Sequence, residues 1–347
     1  MKIGILSFAH HHGEAYISNL RHMKNVELLG VADENSVRGQ KLAKQHEAYY
    51  FPSYEALFEA KPDGVIICTE NNRHRSLVEM AASCGVNVLC EKPIATTYED
   101  ARAIVDVCEK AGVLLMTAFP MRFSAPLLEI KSRLDNGDFG DVYCFNATNQ
   151  GELPTKHRAW FVDIELAGGG AIMDHTVHLV DIMRWFLGSE VETVYARGNR
   201  IFHADEVQVE TGALEMLTFT NSAFATIDAS WSRPPYWPTW GGLTFEMITQ
   251  RGAVILDAFR QNLNIYSSDA QRAQWAYWGS DMNQEMVNEF VTTIQNNRIP
   301  KVTGLDGLRA VEVTLAAYES LRSGQTERVK RTSETTQHNP TNHVSMI

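Results

Sequence analysis

The sequence predicts an α/β domain built on a doubly wound parallel sheet, followed by an α+β domain with a large open mixed or antiparallel sheet. Three observations carry this reading. Short apolar runs alternate with amphipathic stretches from residue 1 to about 120, longer β-like runs then succeed one another, and helical periodicity returns near the end. Strands separated by helices of this length make βαβ units and a parallel sheet, whereas strands joined by short turns make an antiparallel or mixed one. A chain of 347 residues also exceeds the usual span of one core, so two domains are expected.

In the first domain the expected strands are 3–6, 26–31, 64–68, 87–90 and 114–117. Segments such as "EAYISNLRHM", "VRGQKLAKQH", "RSLVEMAASCG" and "YEDARAIVDVCEKAG" are the helices between them. The second domain, 121–328, contains β-like runs including "DVYCFNATNQ", "VQVETGALEMLTFT" and "LTFEMITQRGAVILDA". Helices return in "NQEMVNEFVTTIQNN" and "GLRAVEVTLAAYESLRSG", the latter ending on a glycine suited to a helix C-terminus. This last helix, about 304–323, is expected to pack back toward the first domain. Residues 329–347 are polar and aperiodic, and read as a frayed tail.

Composition narrows the function. A formal net charge of −11 opposes a nucleic-acid backbone or an anionic membrane as partner, and leaves a small ligand or another protein. No leading basic and apolar segment and no membrane-length apolar run is present, so a cytoplasmic protein is expected. The five cysteines are dispersed, without a C-x-x-C pair, and fit neither a disulfide framework nor a zinc site.

The opening stretch, "MKIGILSFAHHHGEAY", places a strand, a sharp turn and a helix where a parallel sheet carries its dinucleotide site. The three glycine positions of G-x-G-x-x-G fall on Ser7, Ala9 and His12, with Gly13 one place late. Ser7, Phe8, Ala9, His10 and His12 are therefore the candidate phosphate-turn residues, although three successive histidines also invite a metal reading. Asp33 ends the second strand some twenty residues beyond Gly13, where a carboxylate binds an adenosine ribose. The alternative is that Asp33 caps the helix beginning near Ser36. A carboxylate there favours NAD; Ser36 and Arg38 could instead form a phosphate pocket, so NADP stays open.

Farther along, "VLCEKPIA" sets Glu91 and Lys92 at the carboxyl end of a parallel strand, over the crevice where open α/β sheets bind ligands. Lys92 there is a donor to a substrate oxygen and a candidate acid or base. A solvated surface turn is the plainer alternative. "CTENNRHR" ends the strand 64–68, and Thr69, Asn72 and His74 are candidates to line the cofactor, with a surface histidine the alternative for His74.

The third place is "GGGAIMDHTVHLVDIMRWFLG". On a 3.6-residue wheel Asp174, His178 and Asp181 share one polar stripe of a helix that is otherwise apolar, and so is buried. The stripe must face a cleft, a ligand or a partner group. An Asp and a His four apart are expected to share a hydrogen bond and work as a proton-transfer pair; a purely structural pair is the alternative. His175 and His178 with one carboxylate make a poor metal set, and no metal site is expected.

Taken in order, the nucleotide-type turn, "EKP" and "GGGAIMDHTVHLVD" resemble the Gfo/Idh/MocA oxidoreductases, which include inositol and glucose–fructose oxidoreductases. "FPMRFSAP" is similar to the family's interdomain segment, and "NNRIPKVTGLDGLRAVEVTLAAYESLRSGQ" to its closing helix. The resemblance implies an N-terminal Rossmann domain (1–120) that binds NAD and a C-terminal domain whose open sheet often assembles dimers or tetramers. Hydride would pass between nicotinamide C4 and a secondary alcohol or carbonyl of a sugar, polyol or related small molecule. It assigns Lys92 to substrate and nicotinamide, Asp174 and His178 to the substrate proton, and Arg122 and Trp160 to the substrate pocket. His175 stands where the family often has a smaller residue, which places it in that pocket and reshapes it. Two other readings remain: a non-catalytic dinucleotide-binding regulator of the same fold, and a metal-dependent lyase or hydrolase using His10–His12 with His175 and His178.

Overall fold

The computed structural model describes residues 1–331 apart from positions 157, 238, 261 and 270. All but three residues of the expected polar tail lie outside that range. In chain order the first domain runs β1 (Lys2–Leu6), α1 (His12–Arg21), β2 (Glu27–Ala32), α2 (Ser36–Gln45), β3 (Tyr50–Phe51), α3 (Tyr54–Glu59) and β4 (Gly64–Ile67). It continues through α4 (His74–Ser83), β5 (Asn87–Cys90), α5 (Tyr98–Ala111) and β6 (Leu115–Thr117). These strands form one parallel sheet in the order β3-β2-β1-β4-β5-β6. Order reverses between β1 and β4, which opens the ligand crevice above their carboxyl ends. Ile3, Ile5, Val65, Ile66, Val88 and Leu89 are fully buried, as expected of strands covered on both faces. Strand β3, only two residues long, has no readable periodicity and is an addition to the expected five.

Local signals set the helix starts. The side chains of Asn35, Ser53 and Thr97 accept backbone N–H bonds from Arg38, Ala56 and Asp100, capping α2, α3 and α5.

The second domain contains α6 (Ala125–Asp135), β7 (Val142–Gly151), α7 (Ile164–Ala167), a π-helical turn (Ile172–Thr176), α8 (Val177–Leu187), β8 (Val191–Asn199), β9 (Gly212–Phe219) and β10 (Phe224–Ser230). After these come β11 (Gly241–Thr249), β12 (Gly252–Asp257), the hairpin β13 (Asn262–Ser267) and β14 (Arg272–Tyr277), α9 (Met282–Gln295), α10 (Gly304–Ser323) and β15 (Glu327–Arg328). Its seven-stranded sheet has the order β12-β11-β7-β10-β9-β8-β15 and is mixed, because β7 and β10 pair in parallel while their other neighbours are antiparallel.

Alternation along these strands buries Phe145, Ala147, Leu217, Ile227 and Phe245 beneath α8 and α10. The opposite face leaves Leu214, Met216 and Phe224 exposed. Helix α10 returns to the first domain: Leu308 and Val311 join the cluster holding Ile94 and Leu115, and the Thr117 hydroxyl donates to the Thr303 carbonyl at 3.1 Å. Contact is so close that a Cβ at Gly307 would lie 2.4 Å from Thr117 Oγ1. A capping box between Thr303 and Asp306 starts this helix.

Candidate active site

Three segments distant in sequence converge where the carboxyl ends of β1, β4 and β5 meet the start of α8. The first is the β1–α1 turn. Ser7 has φ of 74°, the left-handed region that the first fingerprint glycine would occupy. Its Oγ accepts the Ala9 N–H at 3.0 Å, holding the turn that a glycine would leave free.

Phe8 and Ala9 are fully buried, and Phe8 N–H donates to Asp33 Oδ2 at 2.8 Å. Asp33 also accepts Asn35 N–H at 2.8 Å and two bonds from the Arg38 guanidinium, at 2.9 and 2.7 Å. The cap of α2 is thus Asn35, not Asp33, whose carboxylate ties the turn to the tip of β2. Arg38 is held by Asp33 and by Glu34 at 2.6 Å, so it does not stand free as a phosphate pocket.

The second segment follows β4 and β5. Thr69 Oγ1 and Asn71 Oδ1 are buried and make no hydrogen bond among the described residues, while Asn72 lies exposed at the rim. His74 is not a surface residue. It is buried beneath the "EKP" turn, with Nδ1 at 3.0 Å from the Pro93 carbonyl, and the Lys92–Pro93 bond is cis.

Glu91 is entirely buried. It accepts the Tyr16 hydroxyl at 2.5 Å and the Lys92 N–H at 3.2 Å, and Glu91 Oε1 lies 2.9 Å from His12 Nδ1. Burial pushes its carboxyl up, but the His10 and His12 imidazoles and the bonds from His12 and Tyr16 outweigh this and hold it below the ordinary carboxylate range.

The third segment begins at three glycines. A Cβ at Gly170 would lie 2.0 Å from the Glu210 carbonyl, and one at Gly169 1.9 Å from the Tyr318 hydroxyl. That close approach lets Glu210 Oε1 accept the N–H groups of Gly170 and Ile172, at 3.0 and 3.1 Å, and the Tyr318 hydroxyl accept Met173 N–H at 3.2 Å. The start of the helix is thereby capped from two other elements. The next turn is π-helical, a widening often found at functional sites.

This wider turn corrects the expected stripe. Asp174 and His178 do not hydrogen-bond, because a spacing of four places two residues together only in a 3.6-residue helix. Asp174 turns instead to Lys92, whose Nζ donates to its Oδ1 at 2.7 Å and to its carbonyl at 3.1 Å. Trp231 Nε1 donates to Asp174 Oδ2 at 3.1 Å, and His175 Nε2 lies 3.1 Å from the same oxygen. Against a large cost of burial, Lys92 and His175 hold the Asp174 carboxyl well below its ordinary value, so it is ionised.

His178 stands across from this pair, its ring against Phe119 and its Nδ1 without a hydrogen bond among the described residues. Burial, with Lys92 adding to it and Asp174 opposing it, holds the imidazole well below the ordinary histidine value, hence neutral. Lys92, Asp174, His175, His178 and His10–His12 line one cavity of about 790 Å³ counted out to bulk solvent. Its polar floor is completed by Asn149 and Asn283, and its walls are Met121, Phe161, Trp240, Leu243 and Phe259.

Two expected pocket residues lie elsewhere. Arg122 is buried and makes two bonds to Asp181, at 2.8 and 2.6 Å, and one to Asp306 at 3.1 Å, so it cross-links α8 and α10 instead of facing substrate. Trp160 stacks on Phe161 and donates Nε1–H to the Ala9 carbonyl at 2.9 Å, buttressing the turn from behind. Trp231, Glu210 and Tyr318 were illegible in sequence, since each acts through a tertiary contact with no local pattern.

Comparison with known proteins fits this geometry. Residues 2–119 match the family described as "Oxidoreductase family, NAD-binding Rossmann fold", and residues 127–255 match the "GFO/IDH/MocA C-terminal domain". The chain belongs to the Gfo/Idh/MocA oxidoreductase family. Among its relatives, the myo-inositol 2-dehydrogenase of Thermotoga maritima is 26% identical over 333 residues, covering 92% of this chain and 96% of that protein. The scyllo-inositol 2-dehydrogenase (NAD(+)) of Bacillus subtilis is 26% identical, covering 93% of each. The crystal structure of GenD2 from gentamicin A biosynthesis, in complex with NAD, shares the fold with a TM-score of 0.85 at 22% identity over 95% of this chain and 97% of that one.

As a member of the Gfo/Idh/MocA family the protein is an oxidoreductase whose first domain binds NAD. Its residues fit the group: the left-handed Ser7 and the buried Thr69 and Asn71 oxygens, unpaired among the described residues, border the crevice. No helix among the described residues is long and apolar enough to cross a membrane.

Proposed function

We propose that this family member interconverts a secondary alcohol and the corresponding carbonyl of a sugar, polyol or related small molecule, using NAD. One observation carries the reading: the Lys92–Asp174 ion pair and the neutral His178 face each other across a walled cavity at the mouth of the Rossmann crevice. When bound, nicotinamide supplies the hydride acceptor or donor. The Lys92 ammonium, held in place by Asp174, is positioned to donate a hydrogen bond to the reacting oxygen and to stabilise its developing negative charge. His178, uncharged and with a free ring nitrogen, is suited to take the hydroxyl proton in oxidation and return it in reduction. Relatives named for myo- and scyllo-inositol point to a cyclic polyol or pyranose as the substrate class.

A screen of polyols, aldoses and glycosides with NAD and NADP, following reduced-nicotinamide absorbance, tests this directly. Turnover with at least one secondary alcohol is expected, with NAD preferred because Arg38 is already engaged by two carboxylates. Absence of turnover together with a nucleotide-dependent protein partner would replace this reading by the regulatory one. Absence of any thermal shift with either nucleotide would sink both. We also propose a cytoplasmic homo-oligomer joined through the open face bearing Leu214, Met216 and Phe224; light scattering at micromolar concentration should give a multiple of the monomer mass.

A further inference from the structure

We propose that His10, His12 and Glu91 form a binding site for one divalent transition-metal cation of the zinc class. The site stands on the apo-protein geometry and is independent of the hydride-transfer reading. One donor atom from each of the three residues lies within 4.8 Å of the others. His12 Nδ1 is 2.9 Å and His10 Nδ1 is 4.0 Å from Glu91 Oε1. Around a tetrahedral ion with bonds of about 2.1 Å, donors sit roughly 3.4 Å apart, so the observed separations bracket the loaded geometry. Two imidazoles and one carboxylate are the ligand set of open zinc sites that keep a position for water or substrate.

Two of the ligands are rigid and one is adjustable. Glu91 is fully buried and His10 nearly so, whereas the His12 side chain is 26% exposed and reaches the cavity. Tyr16 holds the Glu91 carboxylate from outside the ligand set, the outer-shell arrangement that orients metal-binding carboxylates. Loading would release two contacts, the His12 N–H to His10 Nδ1 at 3.2 Å and the His12 Nδ1–H to Glu91 Oε1 at 2.9 Å, with the Nδ1 proton leaving as the ring nitrogen takes the ion.

His10 accepts the His12 N–H and packs on Phe161, but a plain His12–Glu91 ion pair does not use the His10 imidazole that stands 4.0 Å from the same carboxylate. Nor does Lys92 neutralise Glu91, since its ammonium is turned to Asp174. His12 also occupies the position where the nucleotide fingerprint has its third glycine, so an imidazole stands where the fingerprint has no side chain. His10 and His12, with Lys92 and His178, line the same cavity, which leaves the ion's remaining positions open to a small oxygen ligand.

The test uses the full-length protein, stripped by a chelator and free of nucleotide, titrated with Co2+ and then Zn2+. About one equivalent of Co2+ should bind, with visible d–d absorption that Zn2+ abolishes. Affinity should fall more than tenfold in His12→Gly, which restores the fingerprint glycine, and in His10→Asn. It should be unchanged in His203→Ala, which removes a surface histidine paired with Glu206. Glu91→Gln should also lose the ion; if that variant fails to fold, His12→Gly decides. Circular dichroism and a cooperative thermal transition establish that each variant is folded. Binding of less than a tenth of an equivalent, or parental affinity in both His12→Gly and His10→Asn, would overturn the site.

Discussion

Lys92 Nζ lies 2.7 Å from Asp174 Oδ1, and this bond joins the end of β5 in the first domain to the π-turn before α8 in the second. Each side chain is more than nine-tenths buried, so neither charge is tolerated without the other. Lys92→Ala is expected to lower turnover about 10²- to 10⁴-fold, the range associated with losing a positioned donor or acid. Nucleotide affinity should persist, because Lys92 is separate from the β1–α1 turn. Steady-state kinetics alongside an NAD titration checks this; a Lys92→Ala enzyme that keeps parental turnover would remove the residue from catalysis.

Asp174→Asn keeps the shape but leaves the Lys92 ammonium buried beside a neutral amide. Breaking a buried pair from one side typically costs about 3–5 kcal/mol. A large drop in thermal midpoint is expected in addition to lost activity, and calorimetry will separate the two effects.

His178 makes a contrasting prediction. Its Nδ1 has no hydrogen bond among the described residues, so His178→Ala removes no bond of that atom. Turnover should fall about 10²-fold or more while stability changes little. Equal losses of stability and activity would instead mark His178 as a packing residue.

Arg122 should behave in the opposite way. Its guanidinium is shared by Asp181 and Asp306, away from the cavity; Arg122→Ala strands the buried Asp181 carboxylate, while Asp306 keeps its bonds from Thr303. We expect a destabilisation of about 3–5 kcal/mol in chemical denaturation, with KM unaltered at temperatures where the variant stays folded. A selective rise in KM would return Arg122 to the substrate pocket.

Glu215 on β9 predicts a pH dependence. Its Oε1 accepts the Thr176 hydroxyl at 2.5 Å, its Oε2 makes no bond among the described residues, and burial, aided by Glu210 and opposed by Thr176, pushes its carboxyl up from 4.5 to about 8. Between those two values the folded protein keeps a proton that the unfolded chain has released. Stability contributed through this group therefore falls as pH rises from about 4.5 to 8. Glu215→Gln should flatten the dependence and raise the thermal midpoint more at pH 8 than at pH 5. Identical slopes for parent and variant would show that Glu215 is not the group responsible.

Much of this was written in local patterns. Alternating apolar runs and amphipathic helices specify the parallel sheet, because burial on both faces demands continuous apolar strands and covering helices. The turn after β1, the "EKP" at the end of β5 and the "GGGAIMDHTVH" segment could be located from sequence, since each is a short stretch whose residue types are unusual for its position. What the sequence could not decide is which side chain meets which. Asp174 and His178 looked like partners on a regular wheel, yet the π-turn, held by Glu210 and Tyr318 from elsewhere in the chain, gives Asp174 to Lys92 and leaves His178 free. Arg122 and Trp160 have the chemistry of pocket residues, but the packing of α10 and the β1–α1 turn draws them away. His10, His12 and Glu91, some eighty positions apart, come together only because β1 and β5 end at the same edge of one sheet. Periodicity and turn chemistry are local properties, legible along a chain; the pairing of buried charges depends on which distant group arrives to neutralise them, and that is settled by packing.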